Sequence, residues 1–204
     1  MQKGLLLVLS GPSGTGKGTV LKELMKIYPN IAYSVSVTTR KKREGEVEGR
    51  DYYFRTYEEF KEMLHENRFL ETAQVYGNYY GTPTAQVESL REEGKDVLLE
   101  IDTVGAANIK AKYPDAVLIF MLPPALSELS ERLVKRNSET ERDFRIRTNA
   151  AESEIACVEN YDYIVVNNVP EQAAEDMYCI IRANRNSVTN NREIIQNLVG
   201  GKRL

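Results

Sequence analysis

An apolar run that ends in a glycine-rich loop places the strongest constraint on how this chain folds. Residues 5–9 read Leu-Leu-Leu-Val-Leu, the pattern of a buried strand, and a helical pattern follows the loop. The loop between them comprises Gly11, Pro12, Ser13, Gly14, Thr15, Gly16, Lys17, Gly18 and Thr19. Its glycines let successive N–H groups point inward, where they and the N-terminus of the helix cradle phosphate. With Lys17 supplying a point charge, the sequence predicts a P-loop that binds a nucleoside triphosphate.

The end of this motif departs from the usual Gly-Lys-Ser/Thr. Lys17 is followed by Gly18, and a hydroxyl comes only with Thr19. The same Gly-Lys-Gly-Thr ending occurs in nucleoside-monophosphate kinases, which the loop therefore resembles more closely than it resembles GTPases. Because Gly18 has no side chain to ligate a metal, we expect Mg²⁺ to be held mainly by phosphate oxygens and waters.

Composition narrows the class of protein. The 204 residues are 42% apolar and 28% charged, as in an ordinary globular domain, and the net charge of −3 disfavours a broad nucleic-acid surface. No apolar run is long enough for a membrane helix, and the N-terminal residues lack the design of a signal peptide. Cys157 and Cys179 form no CxxC or Cys/His cluster, so we expect small buried residues in a reducing cytoplasm. His65, the single histidine, is expected on a solvated helix spanning 57–67.

Strand and helix patterns alternate along the chain. Helical spacing covers 17–27, 84–94 and the stretches near 126–133 and 144–158, whereas 31–37, 96–101, 116–121 and 163–166 read as strands. Strands separated by helices indicate βαβ units. The predicted fold is α/β: a P-loop NTPase-type parallel sheet with helices on both faces, carrying a small mixed-strand insertion and a helical lid. Ligands of such sheets bind beyond the carboxyl ends of the strands.

Two segments interrupt the alternation and divide the chain. We assign 1–33, 84–125 and 160–186 to the core, 34–83 to a tyrosine-rich insertion with strand-like pieces at 51–55 and 69–75, and 126–159 to the lid region. The tail, 187–204, has apolar residues at helical spacing and is interpreted as a short accessory helix without an assigned role.

Arginines and tyrosines of the insertion indicate a second phosphate site. Arg40 and Arg43 flank two lysines and offer paired planar guanidinium groups, which suit a phosphate. Such a charge run is commonly a solvated loop, but Tyr52 and Tyr80 downstream lie in tyrosine-dense strands beside acidic residues, which favours a pocket.

With these motifs in place, the chain resembles bacterial guanylate kinases over about residues 4–184. The matching stretches include Gly11 to Thr19, Ser-Val-Ser-Val-Thr-Thr-Arg at 34–40, Arg-Glu-Gly-Glu at 43–46, Gly-Arg-Asp-Tyr at 49–52, Phe-Leu-Glu at 69–71, Gly-Asn-Tyr-Tyr-Gly-Thr at 77–82 and Glu-Ile-Asp at 100–102. The resemblance implies an enzyme that transfers a phosphoryl group from ATP to GMP, giving ADP and GDP, with Mg²⁺. It implies that Arg40, Arg43, Tyr52 and Tyr80 hold the GMP phosphate. The residues implied to read the base are Ser36, Glu71, Thr82 and Asp102.

The chemistry of guanine fits that base-reading set. Guanine offers N1–H and N2–H₂ as donors and O6 as an acceptor. Glu71 and Asp102 match the donors, and the hydroxyl of Ser36 or Thr82 can donate to O6. Adenine would place an acceptor nitrogen against a carboxylate, so the predicted pocket discriminates against AMP.

For catalysis, the resemblance implies lid arginines that close over ATP and stabilise charge on the transferred group. The matching positions are Arg132, Arg136 and Arg147, although Asn137 and Thr148 depart from the family pattern and Arg142 and Arg145 lie close by. Glu100 stands where the family often has aspartate and is a candidate for orienting the waters of a metal. Asn167, after the last strand, is a candidate contact of the adenine of ATP.

Two alternatives stay open at this point. One is a non-catalytic guanylate-kinase-like module that binds a phosphorylated partner, although such modules typically lose the P-loop residues that this chain keeps. The other is a kinase of a different nucleoside monophosphate. Both substrates expected here are small molecules, with no role for nucleic acid or membrane, and no sequence pattern indicates the oligomeric state.

Overall fold

The computed structural model describes residues 2–75, 77–125, 151 and 153–200. Its strands are β1 (Leu6–Ser10), β2 (Ile31–Tyr33), β3 (Val37–Thr38), β4 (Tyr53–Phe54), β5 (Phe69–Val75), β6 (Asn78–Pro83), β7 (Asp96–Glu100), β8 (Val117–Leu122) and β9 (Tyr163–Val166). Its helices are α1 (Lys17–Ile27), α2 (Tyr57–His65), α3 (Thr84–Glu92), α4 (Thr103–Lys112), α5 (Pro170–Arg185) and α6 (Arg192–Leu198), with 3₁₀ turns at Val158–Asn160 and Thr189–Asn191.

Five parallel strands form the core sheet in the order β2-β7-β1-β8-β9. Every residue of β1 is buried, and its side chains alternate between two hydrophobic clusters. Leu7 and Leu9 pack against α1 and α5, whereas Leu6 and Val8 pack against α3 and α4. The predicted α/β core with helices on both faces is therefore confirmed, and its β1, β7 and β9 all end at the edge where the P-loop lies.

A second sheet, of mixed direction, is built between residues 37 and 83 in the order β4-β3-β6-β5. The single strand predicted at 31–37 is wrong, because the segment divides between the two sheets. Tyr33 pairs with Leu98 of the core, and Ser34 N–H still donates to the Leu98 carbonyl. Two residues later the carbonyl of Ser36 already accepts from Tyr53 N–H in the second sheet. The chain therefore changes sheets at 34–36.

Other boundaries also differ from the predictions. The strand expected at 51–55 is only Tyr53–Phe54, and α2 ends at His65 because Asn67 takes a positive φ of 55°. His65 is exposed as expected. The cysteines are not buried: Cys157 is half-buried and Cys179 exposed, since α5 turns its other face, with Met177 and Ile181, to the core.

The end of α5 is tied to the core by a buried ion pair. Asp96, at the start of β7, is fully buried, and its carboxylate accepts hydrogen bonds from Arg185 at 2.7 and 2.8 Å, from Tyr28 at 2.9 Å and from Leu5 N–H at 2.8 Å. Each carboxylate oxygen of Asp96 thus accepts two hydrogen bonds, one from the Arg185 guanidinium and one from a neutral donor. Removing one donor leaves a buried charge short of a partner, which costs more than the bond contributes.

Replacing Arg185 with alanine is therefore expected to lower the free energy of unfolding by about 3 kcal/mol. This figure lies at the low end for breaking a buried ion pair, because a quarter (25%) of the Arg185 side chain is exposed. Urea denaturation followed by circular dichroism measures it. Arg182→Ala, one turn earlier on the exposed face of α5, is the matched control; equal losses in the two variants would contradict the assignment.

Among the residues that the structure describes, no helix combines the length and the apolar character needed to cross a membrane.

Candidate active site

The loop between β1 and α1 has the backbone of a phosphate cradle. Gly11, Gly14 and Gly16 take positive φ angles of 144°, 93° and 88°, which residues with a Cβ rarely adopt. Gly11 also has no room for a side chain, because a Cβ there would lie 2.2 Å from the carbonyl oxygen of Met121 on β8. The glycines therefore satisfy both the conformation of the loop and its close approach to the sheet.

Two side chains hold the loop in place. The buried Thr15 hydroxyl donates to the carbonyl of Pro12 at 2.9 Å. Asn167, 2% exposed at the end of β9, donates from Nδ2 to the carbonyl of Thr15 at 2.6 Å. Asn167 thus supports the P-loop from beneath, and its contact with adenine stays a prediction.

Lys17 opens α1 and folds its side chain back over the loop. Its ammonium donates to the carbonyls of Gly11 at 2.6 Å and Pro12 at 3.3 Å. These bonds hold Nζ at the mouth of the cradle, where a bound anion would meet it.

A cavity of about 300 Å³ joins the P-loop to the predicted acceptor site. Three of the residues that line it belong to the P-loop, namely Gly11, Ser13 and Lys17. Others are predicted base and phosphate contacts: Ser36, Arg43, Tyr52, Glu71, Tyr80 and Asp102. Residues far apart in sequence thus converge because the second sheet faces the carboxyl edge of the core sheet.

At one end of the cavity two carboxylates lie close together. Glu71 is 7% exposed on β5, and its Oε1 accepts from the hydroxyl of Thr82 on β6 at 2.7 Å. Asp102 caps α4, with Oδ1 accepting from Gly105 N–H at 2.7 Å. Burial raises the pKa of Glu71 to about 7; the Thr82 hydrogen bond opposes this rise, and the charge of Asp102 adds to it. The hydroxyl proton of Thr82 is therefore used to orient Glu71, and it is not a donor to O6 of guanine.

At the other end lie the arginines and tyrosines. Arg43, Tyr52 and Tyr80 line the cavity, and the two tyrosine rings are 5.9 Å apart in an edge-to-face arrangement. Arg40 lies beside them, with its guanidinium 5.3 Å from the Tyr52 ring centre. It forms a two-pronged ion pair with Glu46, at 2.7 and 3.1 Å, and Glu46 Oε2 also accepts from Arg43 N–H at 2.7 Å.

Glu46 is a functional candidate that the sequence reasoning missed. It holds the guanidinium of Arg40 and the backbone N–H of Arg43, and hydrogen bonding to Arg40 holds the pKa of its carboxyl below the usual value. The Arg-Glu-Gly-Glu motif at 43–46 contains Glu46, but the sequence analysis assigns a role only to its arginine. The pairing fixes the planar face of Arg40 against Tyr52 instead of leaving a flexible charge.

Glu154 is a second residue that was missed. It lies in the predicted lid segment yet lines the cavity with Lys17 and Asp102. Burial raises the pKa of Glu154, the positive charge of Lys17 opposes that rise and the charge of Asp102 adds to it. No spacing or motif in its neighbourhood indicated a place in this site.

A wider cleft of about 1050 Å³ adjoins the first along the P-loop. Four residues line both cavities, namely Ser13, Lys17, Tyr52 and Glu100, so the two spaces adjoin beside the P-loop. Within the described ranges no three acidic, histidine or cysteine side chains form a metal cluster. A hard cation bound through phosphate oxygens and waters, with Glu100 accepting from those waters, fits this donor set.

Three predicted arginines, Arg132, Arg136 and Arg147, lie outside the residues that the structure describes, as does most of the lid region 126–159.

This fold and cavity define a protein of the P-loop nucleotide-binding class, whose phosphate loop shares one cavity with residues of the second-sheet segment and the start of α4. A family model described as guanylate kinase matches residues 3–184. Guanylate kinases from Clostridium tetani and Lactococcus lactis are 51% and 50% identical, over 91% and 89% of this chain and 88% and 89% of theirs. The crystal structure of guanylate kinase from Anaplasma phagocytophilum, 33% identical, superposes with a TM-score of 0.81 over 100% of this chain and 98% of that one. The chain belongs to the guanylate kinase family.

Proposed function

We propose that the 300 Å³ cavity binds GMP and that the P-loop presents the triphosphate of ATP to it at Lys17. Members of this family transfer the γ-phosphoryl group of ATP to GMP, giving ADP and GDP. The observation that carries the assignment is the shared lining: P-loop residues and six of the predicted GMP contacts line one cavity, whereas Arg40 and Thr82 lie behind Tyr52 and Glu71. Donor and acceptor phosphates would thus meet without a carrier group on the protein.

Base recognition is assigned to the carboxylate end. Glu71 and Asp102 accept from N1–H and N2–H₂ of guanine, and Ser36, which is 9% exposed and lines the cavity, donates to O6. Thr82 acts through Glu71. Burial supports the assignment, since a dry pocket leaves the polar groups unpaired when the wrong base enters.

Phosphate recognition is assigned to the opposite end. Arg43, Tyr52 and Tyr80 contact the GMP phosphate, and Arg40 completes the positive wall from its place against Tyr52. Glu46 positions both arginines. Its carboxylate also offsets part of their charge while the phosphate is absent.

Phosphoryl transfer requires little covalent chemistry of the protein, so positioning and neutralisation carry the rate. Lys17 stabilises the terminal phosphates. The resemblance to the family assigns Arg132, Arg136 and Arg147 to the stabilisation of charge on the transferred group. Mg²⁺, when bound, neutralises phosphate charge, with Glu100 holding its waters. Cys157 and Cys179 form no disulfide, which supports action in a reducing cytoplasm.

A coupled ADP-release assay with ATP and each of GMP, AMP, UMP and dTMP tests this function. We expect turnover with GMP far above that with the other three, because only guanine complements two carboxylates and a donor hydroxyl. Equal or greater kcat/KM with another monophosphate would assign the pocket to that base. An absence of turnover with all four would favour the non-catalytic module.

A further inference from the structure

One helical glycine lies beside both carboxylates at the base end of the cavity. Gly105 is buried in the first turn of α4. Its N–H donates to Asp102 Oδ1 at 2.7 Å. A Cβ at this position would lie 2.7 Å from Glu71 Oε2 and 3.3 Å from Asp102 Oδ1.

The backbone conformation does not explain this glycine. Gly105 is absent from the positive-φ residues, so an alanine could take the same helical angles. Within a helix, glycine costs roughly 0.5–1 kcal/mol relative to alanine. The chain bears that cost at the point where a methyl group would collide with a carboxylate.

Glu71 cannot easily move aside. The residue is 7% exposed, and its Oε1 accepts a hydrogen bond from the hydroxyl of Thr82 at 2.7 Å. A methyl group pressing on Oε2 would either break that bond or push the carboxylate into the cavity. Both outcomes change the distance between the two acceptors.

We propose that Gly105 is a specificity-determining positioning residue: its missing Cβ sets Glu71 and Asp102 at the spacing that the N1–H and N2–H₂ edge of guanine requires. The inference rests on the proposed role of Glu71 in reading the base. It adds a steric element to that role, because the carboxylates recognise guanine only at a separation that α4 permits.

Gly105→Ala tests the proposal. The dissociation constant for GMP, measured by calorimetry, and KM for GMP should rise roughly tenfold, the loss of about one charge-assisted hydrogen bond. KM for ATP and the weak turnover of AMP should change little, because neither depends on this edge. A general disturbance of the fold would instead change both nucleotides and lower the unfolding temperature.

Two further variants make the test specific. Val104→Ala alters the neighbouring residue of α4, which is 61% exposed, and should leave GMP binding unchanged. Glu71→Asp in the Gly105→Ala background shortens the acid by one methylene and makes room for the new methyl. The double variant should bind GMP no more weakly than Glu71→Asp alone, a non-additive result that a structural role would not produce.

The outcomes distinguish a failure of the role of Gly105 from a failure of the base-reading role of Glu71. If Glu71→Gln weakens GMP but Gly105→Ala does not, the role of Gly105 is overturned and the base-reading role of Glu71 stands. If Glu71→Gln has no effect on GMP, both fall. Additive losses in the double variant also overturn the proposal, since the methyl would then act elsewhere than on Glu71.

Discussion

Replacing Lys17 with alanine is expected to lower kcat by roughly 10²–10³, the loss associated with one preorganised donor to transition-state charge. GMP affinity should change little, because the proposed acceptor contacts of Arg43, Tyr52 and the two carboxylates remain. Lys17 lines both cavities, and the proposed function places it at the phosphates in transfer rather than at the guanine. Steady-state kinetics gives kcat, and calorimetry with GMP alone gives the affinity.

Lys26→Ala is the control for that experiment. It removes the same charge from the last turn of α1, where Lys26 pairs with Glu23 at the surface and 67% of its side chain is exposed. Its kcat should match the parent enzyme. Loss of GMP affinity in Lys17→Ala with an unchanged melting temperature would contradict the division into donor and acceptor sites.

The second large effect concerns the base. Glu71→Gln turns a charged acceptor into an amide that must direct its NH₂ group somewhere near N2–H₂ or solvent. We expect GMP binding to weaken by about 1–3 kcal/mol, roughly 5- to 150-fold, with AMP unaffected. The ratio of kcat/KM for GMP and AMP measures it, and an unchanged ratio would remove Glu71 from base recognition.

Glu71 is also expected to make the affinity for GMP depend on pH. Since burial raises the pKa of Glu71 to about 7, the acid is protonated in the free enzyme below that pH and ionised above it. Guanine donors need the ionised form, so GMP affinity should be lost as the pH falls through 7. Linkage predicts affinity about tenfold tighter at pH 8 than at pH 6.

The phosphate of GMP itself titrates near pH 6, so wild type must be compared with Glu71→Gln. The phosphate contribution is common to both proteins and cancels. Calorimetric titrations at pH 6, 7 and 8 should show the additional slope only in wild type. Parallel profiles would place the pKa of Glu71 well outside this range.

Local patterns predicted the parts of this molecule that depend on local sequence. The P-loop and α1 follow from glycine conformations and 3.6-residue spacing, and α1 has the predicted bounds of Lys17–Ile27. The break at 34–36 was missed because the apolar pattern runs on through it. What divides that segment is the pairing of Tyr33 with Leu98 and of Val37 with Gly81, which no local pattern records.

The site shows the same division. The resemblance to guanylate kinases pointed to Glu71 and Asp102, whose chemistry complements guanine, and the structure brings them to one cavity. The roles of Thr82, Glu46 and Glu154 depend on which neighbours they meet after folding. α5 could have been found from Pro170 at its start and from the apolar spacing of Ala173, Met177 and Ile181.

The residues proposed to read the base are divided between the second sheet and a helix of the core, and this limits how the enzyme can be re-engineered. Glu71 and Thr82 belong to the four-stranded sheet, whereas Asp102 and Gly105 belong to the helix that follows β7 of the core. A chimera that received residues 34–83 from a kinase of another nucleotide would keep half of the guanine complement. The transferred residues would then face Asp102 and Gly105, which suit guanine and not the new base. The proposed base site therefore predicts that an exchange of specificity must carry the start of α4 together with residues 34–83.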